Sequence, residues 1–166
     1  HIDVNGPVGA FGIYRDITGE KRREAELRAS EERYRALFDQ SPVGVLLCDR
    51  GLRITHCNES LTRIVDAPYE ELIGAHLVRL RDRRLIPGLR DALRGKPAYY
   101  RGPFRSRSGR QRHVSIQYAP LRDDLGDVIG GMGVFEDISD RVTAEQQLHA
   151  QAAEMDRVNA ALREQT

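Results

Sequence analysis

Five histidines and two cysteines hold most of the reactive chemistry open to this 166-residue sequence, and their spacing decides which of it is available. His56, His113 and His149 fall on stretches that read as a hairpin, a sheet strand and a terminal helix, without the short intervals that a metal-ligand set requires. Cys48 and Cys57 do not form a Cys-x-x-Cys pair, which removes the usual zinc and redox motifs. A turn through Asp49, Arg50, Gly51 and Leu52 would set Cys57 opposite Gly44 and Cys48 opposite Arg53, a register that no disulfide can bridge. The expectation is two small buried thiols in a reducing cytoplasm. The glycines of Gly130-Gly131-Met132-Gly133 are not followed by a helix start that could present amides to a phosphate, so they read as close packing within a strand.

The elements that must position these residues belong to a soluble chain with one ordinary domain and some additional helix. The sequence is 40% hydrophobic and 31% charged, with no Trp and only 6% aromatic residues, so the core must be aliphatic. The net charge of +1 gives no general attraction to nucleic acid or membrane. Between Arg79 and Arg112, however, twelve Lys and Arg face only Asp82 and Asp91, a local excess of ten positive charges. A solvated basic face accounts for this run, with an anionic ligand or partner as the alternative, and no recognition-helix, zinc-finger or stacking-aromatic pattern accompanies it to suggest DNA reading. The longest purely apolar run, Val45 to Cys48, is far short of the roughly 20 residues that span a bilayer, and no signal peptide is visible.

Self-similarity organises the chain. Gly9-Ala-Phe-Gly-Ile-Tyr-Arg-Asp-Ile-Thr18 aligns without gaps on Gly130-Gly-Met-Gly-Val-Phe-Glu-Asp-Ile-Ser139, a constant offset of 121 residues that continues from Glu24 to Glu145 and from Leu27 to Leu148. The sequence therefore reads as the last strand of one unit (1–18), a linker helix (19–38), a complete second unit (39–138) and a C-terminal helix (139–166). Ser41-Pro42 ends the linker. Val43 to Asp49 and Arg53 to Cys57 follow as a hairpin, Asn58 to Val65 and Tyr69 to Ile73 as short helices, and Arg84 to Leu93 as a longer one. Tyr99 to Arg105, Arg112 to Leu121 and Val128 to Ile138 complete the strands, with Val114, Ile116 and Tyr118 on one face. This order predicts an α+β domain, an antiparallel sheet with helices on one face.

In that order, the phrases Ser30-Glu-Glu-Arg-Tyr-Arg-Ala-Leu-Phe38, Cys57-Asn58-Glu-Ser, Glu71-Leu-Ile-Gly74, Ser108-Gly109-Arg110, Ala119-Pro120-Leu121 and Asp137-Ile138-Ser139 resemble a PAS domain over roughly residues 30 to 145. The resemblance implies a PAS-like five-stranded antiparallel sheet, flanked by N- and C-terminal linker helices, with a cleft between sheet and helices. It also implies an input module of the kind attached to histidine kinases and diguanylate cyclases, with no catalytic site of its own. Familiar PAS cofactors do not fit the residues. The middle helices read Gly74-Ala-His-Leu-Val78 where a flavin photosensor carries a reactive cysteine, so flavin-adduct chemistry is excluded. Arg84 to Leu93 holds no histidine for haem, and His76 lies just upstream with a structural or solvent role. His149 is followed by Ala150-Gln151-Ala152 and lacks the acidic, basic and proline pattern of a phosphoacceptor site. No cofactor and no metal are expected.

The remaining cleft would be lined by Leu47, Leu61, Ile64, Leu77, Leu85, Leu89, Ile116 and Met132. Either it binds a small apolar or amphipathic molecule, or those side chains fill it and the domain acts as a ligand-free structural relay and dimerisation element. Asp137, Ile138, Ser139 and Arg141 are the candidate signal relay: Ser139 to cap the next helix, Asp137 to pair with Arg141 four residues on, and Asp140 to complement the positive helix end. On the terminal helix, Leu148, Met155 and Leu162 fall seven apart, with Ala144, Gln151 and Val158 in the alternate heptad position, which predicts a parallel two-stranded coiled coil and a homodimer, the alternative being a helix packed back on the module's own sheet. Such a helix of roughly 27 residues would project on the order of 40 Å toward an effector domain of the parent chain. Nucleic acid and membrane contacts are not expected of this segment. A catalytic or nucleic-acid-binding role is the weakest of the three function classes, behind ligand sensor and relay.

Overall fold

The computed structural model of the protein describes residues 18–80 and 82–164, so the strand expected from the preceding repeat lies, Thr18 apart, outside the described residues. The described residues divide between two compact units, one ending at Ala36 and the other beginning at Leu37. Helix α1 (Thr18–Asp39) buries none of its side chains and carries an exposed Arg28–Glu32 ion pair one turn apart, at 3.0 Å. Its length follows from an uninterrupted run of helix formers after Gly19, which Ser41-Pro42 stops.

The second unit is a five-stranded antiparallel sheet with helices against one face. Strands β1 (Gly44–Asp49) and β2 (Ile54–Cys57) form the hairpin, followed by α2 (Glu59–Val65) and α3 (Tyr69–Leu72). Two 3-10 turns, Leu77–Arg79 and Arg83–Leu85, lead into α4 (Ile86–Leu93). The long helix expected from Arg84 thus starts as a 3-10 turn, because Pro87 has no amide hydrogen to continue an α-helical ladder and is accommodated in the first turn of α4. Strands β3 (Ala98–Arg105), β4 (Gln111–Arg122) and β5 (Val128–Asp137) precede α5 (Ser139–Glu164). The strand order is β2-β1-β5-β4-β3.

The hairpin register differs from the expected one. Leu46 lies opposite Cys57 and Leu47 opposite His56, after which Cys48 lies opposite Ile54. Thr55 is the extra residue, an irregularity that turn length alone could not reveal. Both cysteines are free and buried.

Period-two alternation then sorts the side chains. Leu46 and Cys48 of β1, Val114, Ile116 and Tyr118 of β4, and Phe135 of β5 meet Leu61 of α2 and Leu89 of α4 in one hydrophobic core. Gly130, the third residue of β5, is explained by that packing: a Cβ there would lie 2.2 Å from the carbonyl oxygen of Cys48. Gly88 meets the ring of Tyr118 in the same way, where a Cβ would lie 2.2 Å from the ring edge. The Tyr118 hydroxyl is buried without a hydrogen-bond partner among the described residues, and burial pushes its ionisation upward. Tyr118→Phe removes that orphaned group without changing the ring. It should leave stability unchanged or raise it by about 1 kcal/mol, a gain that would appear as a higher urea midpoint at constant m-value; a loss would mean that the hydroxyl has a partner.

Candidate functional site

The structure redistributes the eight residues expected to line a cleft. Leu61, Ile64, Leu77, Leu85, Leu89 and Ile116 are core side chains between 0 and 6% exposed. Leu47 and Met132 belong elsewhere: they pair with each other across β1 and β5. They alternate with the core residues Leu46 and Cys48 on β1 and with the buried Gly131 and Gly133 on β5, which puts them on the sheet face away from α2 and α4.

An open space lies to one side of that core. A cavity of about 250 Å³ is bounded by the end of α2, by α3, by the first 3-10 turn and by the last residues of β3. Val65, Ala67, Leu72 and Phe104 form a buried apolar wall, and Ala75 and Leu80 extend it. His76, Arg79, Arg105, Arg107, Glu71 and Asp82 supply the polar groups. Most of these residues sit in turns or at a strand end, where no periodicity marks them. Only the basic run from Arg79 onward and the isolated Phe104 could have pointed there.

Several of the polar groups are already engaged. Asp82, 7% exposed, accepts from the amides of Arg84 at 3.1 Å and Arg105 at 2.9 Å, so it ties the second 3-10 turn to the end of β3. Glu71 pairs with Arg107. The His76 Nδ1 accepts from the Val78 amide at 3.3 Å, which in the neutral ring leaves the proton on Nε2.

Beside the cavity, Asp66 is the C-cap of α2 in the left-handed conformation (φ 53°, ψ 47°), a position that Asp tolerates better than most residues. It stands between the wall residues Val65 and Ala67. Its Oδ2 accepts from the hydroxyls of Ser106 and Ser108, each at 2.7 Å, while Oδ1 faces Arg112 at 3.4 Å. Those two hydroxyl bonds, aided by the Arg112 and Arg110 charges, hold the Asp66 carboxyl below its ordinary range. The other guanidinium nitrogen of Arg112 donates to Asp137 at 2.7 Å. Arg112 also reaches the Arg63 carbonyl at 3.3 Å, and its Nε is buried without a partner among the described residues. It thus joins the end of α2 to the junction of β5 and α5.

That junction is built differently from the expectation. Asp137 Oδ1, not the Ser139 hydroxyl, accepts from the first amide of α5, the N–H of Ser139, at 3.0 Å. The Ser139 hydroxyl turns back to the sheet, donating to Asp137 at 2.6 Å and accepting from the His113 amide at 2.9 Å. Ile138 is 3% exposed, and its amide donates to the His113 carbonyl at 2.8 Å. The pair expected between Asp137 and Arg141 is not formed among the described residues, because the stronger partner, Arg112, comes from β4. Burial alone would raise the Asp137 carboxyl, but the Ser139 bonds and Arg112 outweigh it and hold it low.

The remaining candidates fall into place around this frame. Burial raises both thiols, Cys57 to about 11 with the Asp39 charge adding to the effect, so neither is a ready nucleophile. No cluster of three or more His, Cys, Asp or Glu that could hold a metal occurs among the described residues. No described helix is long and apolar enough to cross a membrane. On α5, Ala144 and Gln151 are exposed, and Leu148, Met155, Val158 and Leu162 stand 65, 66, 49 and 59% exposed.

The sheet order, the helices on one face and the β5–α5 junction define a class, and comparison with known proteins agrees: residues 38–143 match the family described as the PAS fold, and the chain belongs to it. It is 28% identical over 157 residues to the virulence sensor protein BvgS of Bordetella pertussis and 30% identical over 159 residues to the two-component sensor PprA of Pseudomonas aeruginosa. These matches cover 90 and 92% of this chain but only 13 and 17% of those proteins. Among solved structures, the PAS domain of an HTR-like protein from Haloarcula marismortui superposes with a TM-score of 0.57 at 19% identity, covering 71% of this chain and 99% of that one. The PAS domain of Bordetella pertussis BvgS superposes with a TM-score of 0.50 at 24% identity, covering 75 and 98%.

Proposed function

We propose that this chain is a sensory and dimerisation module of a larger signalling protein, in which Arg112 transmits the state of the cavity wall to the output helix α5. The observation that carries this reading is one guanidinium shared by Asp66, between two residues of that wall, and Asp137, which caps the helix. A shift of α2 against the sheet must change both ion pairs, and a coupling of about 1–3 kcal/mol suffices for control. The exposed stripe on α5 supports a parallel coiled coil with a second copy, since a lone helix would leave that stripe in water. The resemblance to sensor proteins supports an effector of the histidine kinase or diguanylate cyclase type, and the two buried free thiols suit a cytoplasmic setting.

One observation favours a ligand-free version of the same relay. The six core residues named above fill the space between sheet and helices, so that space itself leaves a ligand no room.

Asp137→Ala separates relay from packing. In a fusion of this chain to a histidine kinase core, the variant should lose input control of autophosphorylation, while the domain itself loses only about 1–2 kcal/mol. Unchanged control with the same small stability loss would refute the relay.

A further inference from the structure

We infer that the side cavity is a binding site for a small amphipathic carboxylate, with its apolar body against Val65, Leu72 and Phe104 and its carboxylate at the mouth between Arg79 and Arg105. This rests on reading the cavity as a sensory site and adds the class of ligand. The polar groups around the cavity are unequal in their commitments. Asp82 is spent on two backbone amides, and Glu71 is matched by Arg107. His76 uses its acceptor nitrogen on Val78, which leaves a donor. Arg79 and Arg105 are residues of the same cavity lining, both are exposed, and neither enters any of the ion pairs formed by the described residues. The side chains that remain uncommitted are therefore donors and cations, and the group that answers two guanidinia is an anionic acceptor.

The shape narrows the choice further. At about 250 Å³ the space lies below the range of roughly 300–1,000 Å³ typical of drug-sized ligands. Its apolar wall rules against a bare inorganic anion, which would leave that surface in contact with water. A planar carboxylate suits the fork of a guanidinium, and a short alkyl or aryl body suits the wall. An amine-headed or uncharged ligand of the same length would leave both arginines unanswered.

Calorimetric titration of the 166-residue chain with octanoate, octanol and octylamine at equal concentration tests the inference. Octanoate should bind at least about tenfold more tightly than the other two, and Arg79→Gln/Arg105→Gln should remove that preference while leaving the melting midpoint of the free protein unchanged. Equal affinity for octanoate and octanol, or a double variant that keeps the preference, overturns the carboxylate assignment. Absence of binding by all three overturns it too. In each of these cases the Asp137→Ala fusion experiment still decides independently whether the relay stands.

Discussion

Asn58→Ala will destabilise the domain by about 3–4 kcal/mol, enough to lower its melting midpoint by well over ten degrees by the scaling for domains of this size, about 4–8 °C per kcal/mol. Asn58 is fully buried and uses four hydrogen bonds to join three segments. Its amide donates to the carbonyls of Phe38 and Val43, each at 2.9 Å. Its Oδ1 accepts from the amides of Val45, at 2.8 Å, and Leu61, at 3.1 Å, the latter being the N-cap bond of α2. Removing the side chain strands four backbone groups, and each buried group left without a partner costs about 1–3 kcal/mol before relaxation or entering water reduces it. Asn58→Asp keeps the acceptor but sets a buried carboxylate oxygen against the carbonyls of Phe38 and Val43, so it should be no more stable than Asn58→Ala. Chemical denaturation of the two variants measures this, and a loss below 1 kcal/mol in the Ala variant would show that water replaces the side chain at little cost.

Arg112→Met comes second in size, with an expected loss of about 2–3 kcal/mol near neutral pH. The side chain is only 18% exposed, and its removal leaves the carboxylates of Asp66 and Asp137 without their shared cation. The sign of the pH dependence follows from the direction of the two shifts. Both carboxyls are held below their unfolded values, so their contribution is fully present above the ordinary carboxylate pKa of about 3.9 and is lost as the pH falls through the folded values. The gap between wild type and Arg112→Met should therefore be widest near neutrality and close toward acid. Denaturation midpoints taken across that range check it, and a gap independent of pH would assign the loss to packing of the side-chain stem. In the kinase fusion the same variant should uncouple input from output more completely than Asp137→Ala, because it breaks the link at both ends.

Much of the fold was legible because hydrophobic periodicity is a local property. Val114, Ile116 and Tyr118 alternate in the sequence and are buried in the structure for one reason, the two-residue repeat of a strand. The 121-residue offset likewise marks Asp137-Ile138-Ser139 as a junction between strand and helix. Leu47 and Met132 show where that legibility stops. An apolar residue in a strand can face either side of the sheet, and the side is set by register and by the position of the helices.

The polar site was hidden more deeply. Counted by charge alone, Arg112 was one more cation in a basic run, yet the other described Arg and Lys residues from Arg79 to Arg110 are exposed while Arg112 is half-buried between two carboxylates. Asp66 is 46 residues away from it along the chain, and Asp137 is 25. Among the described residues, the sequence by itself determined the strands, most of the helices, their order and the position of the junction that leads into α5, because those follow from short-range spacing. Only the tertiary structure decided which cation serves Asp137, which face Leu47 takes and where the cavity opens, because ion pairs and cavities form between segments that chain closure brings together.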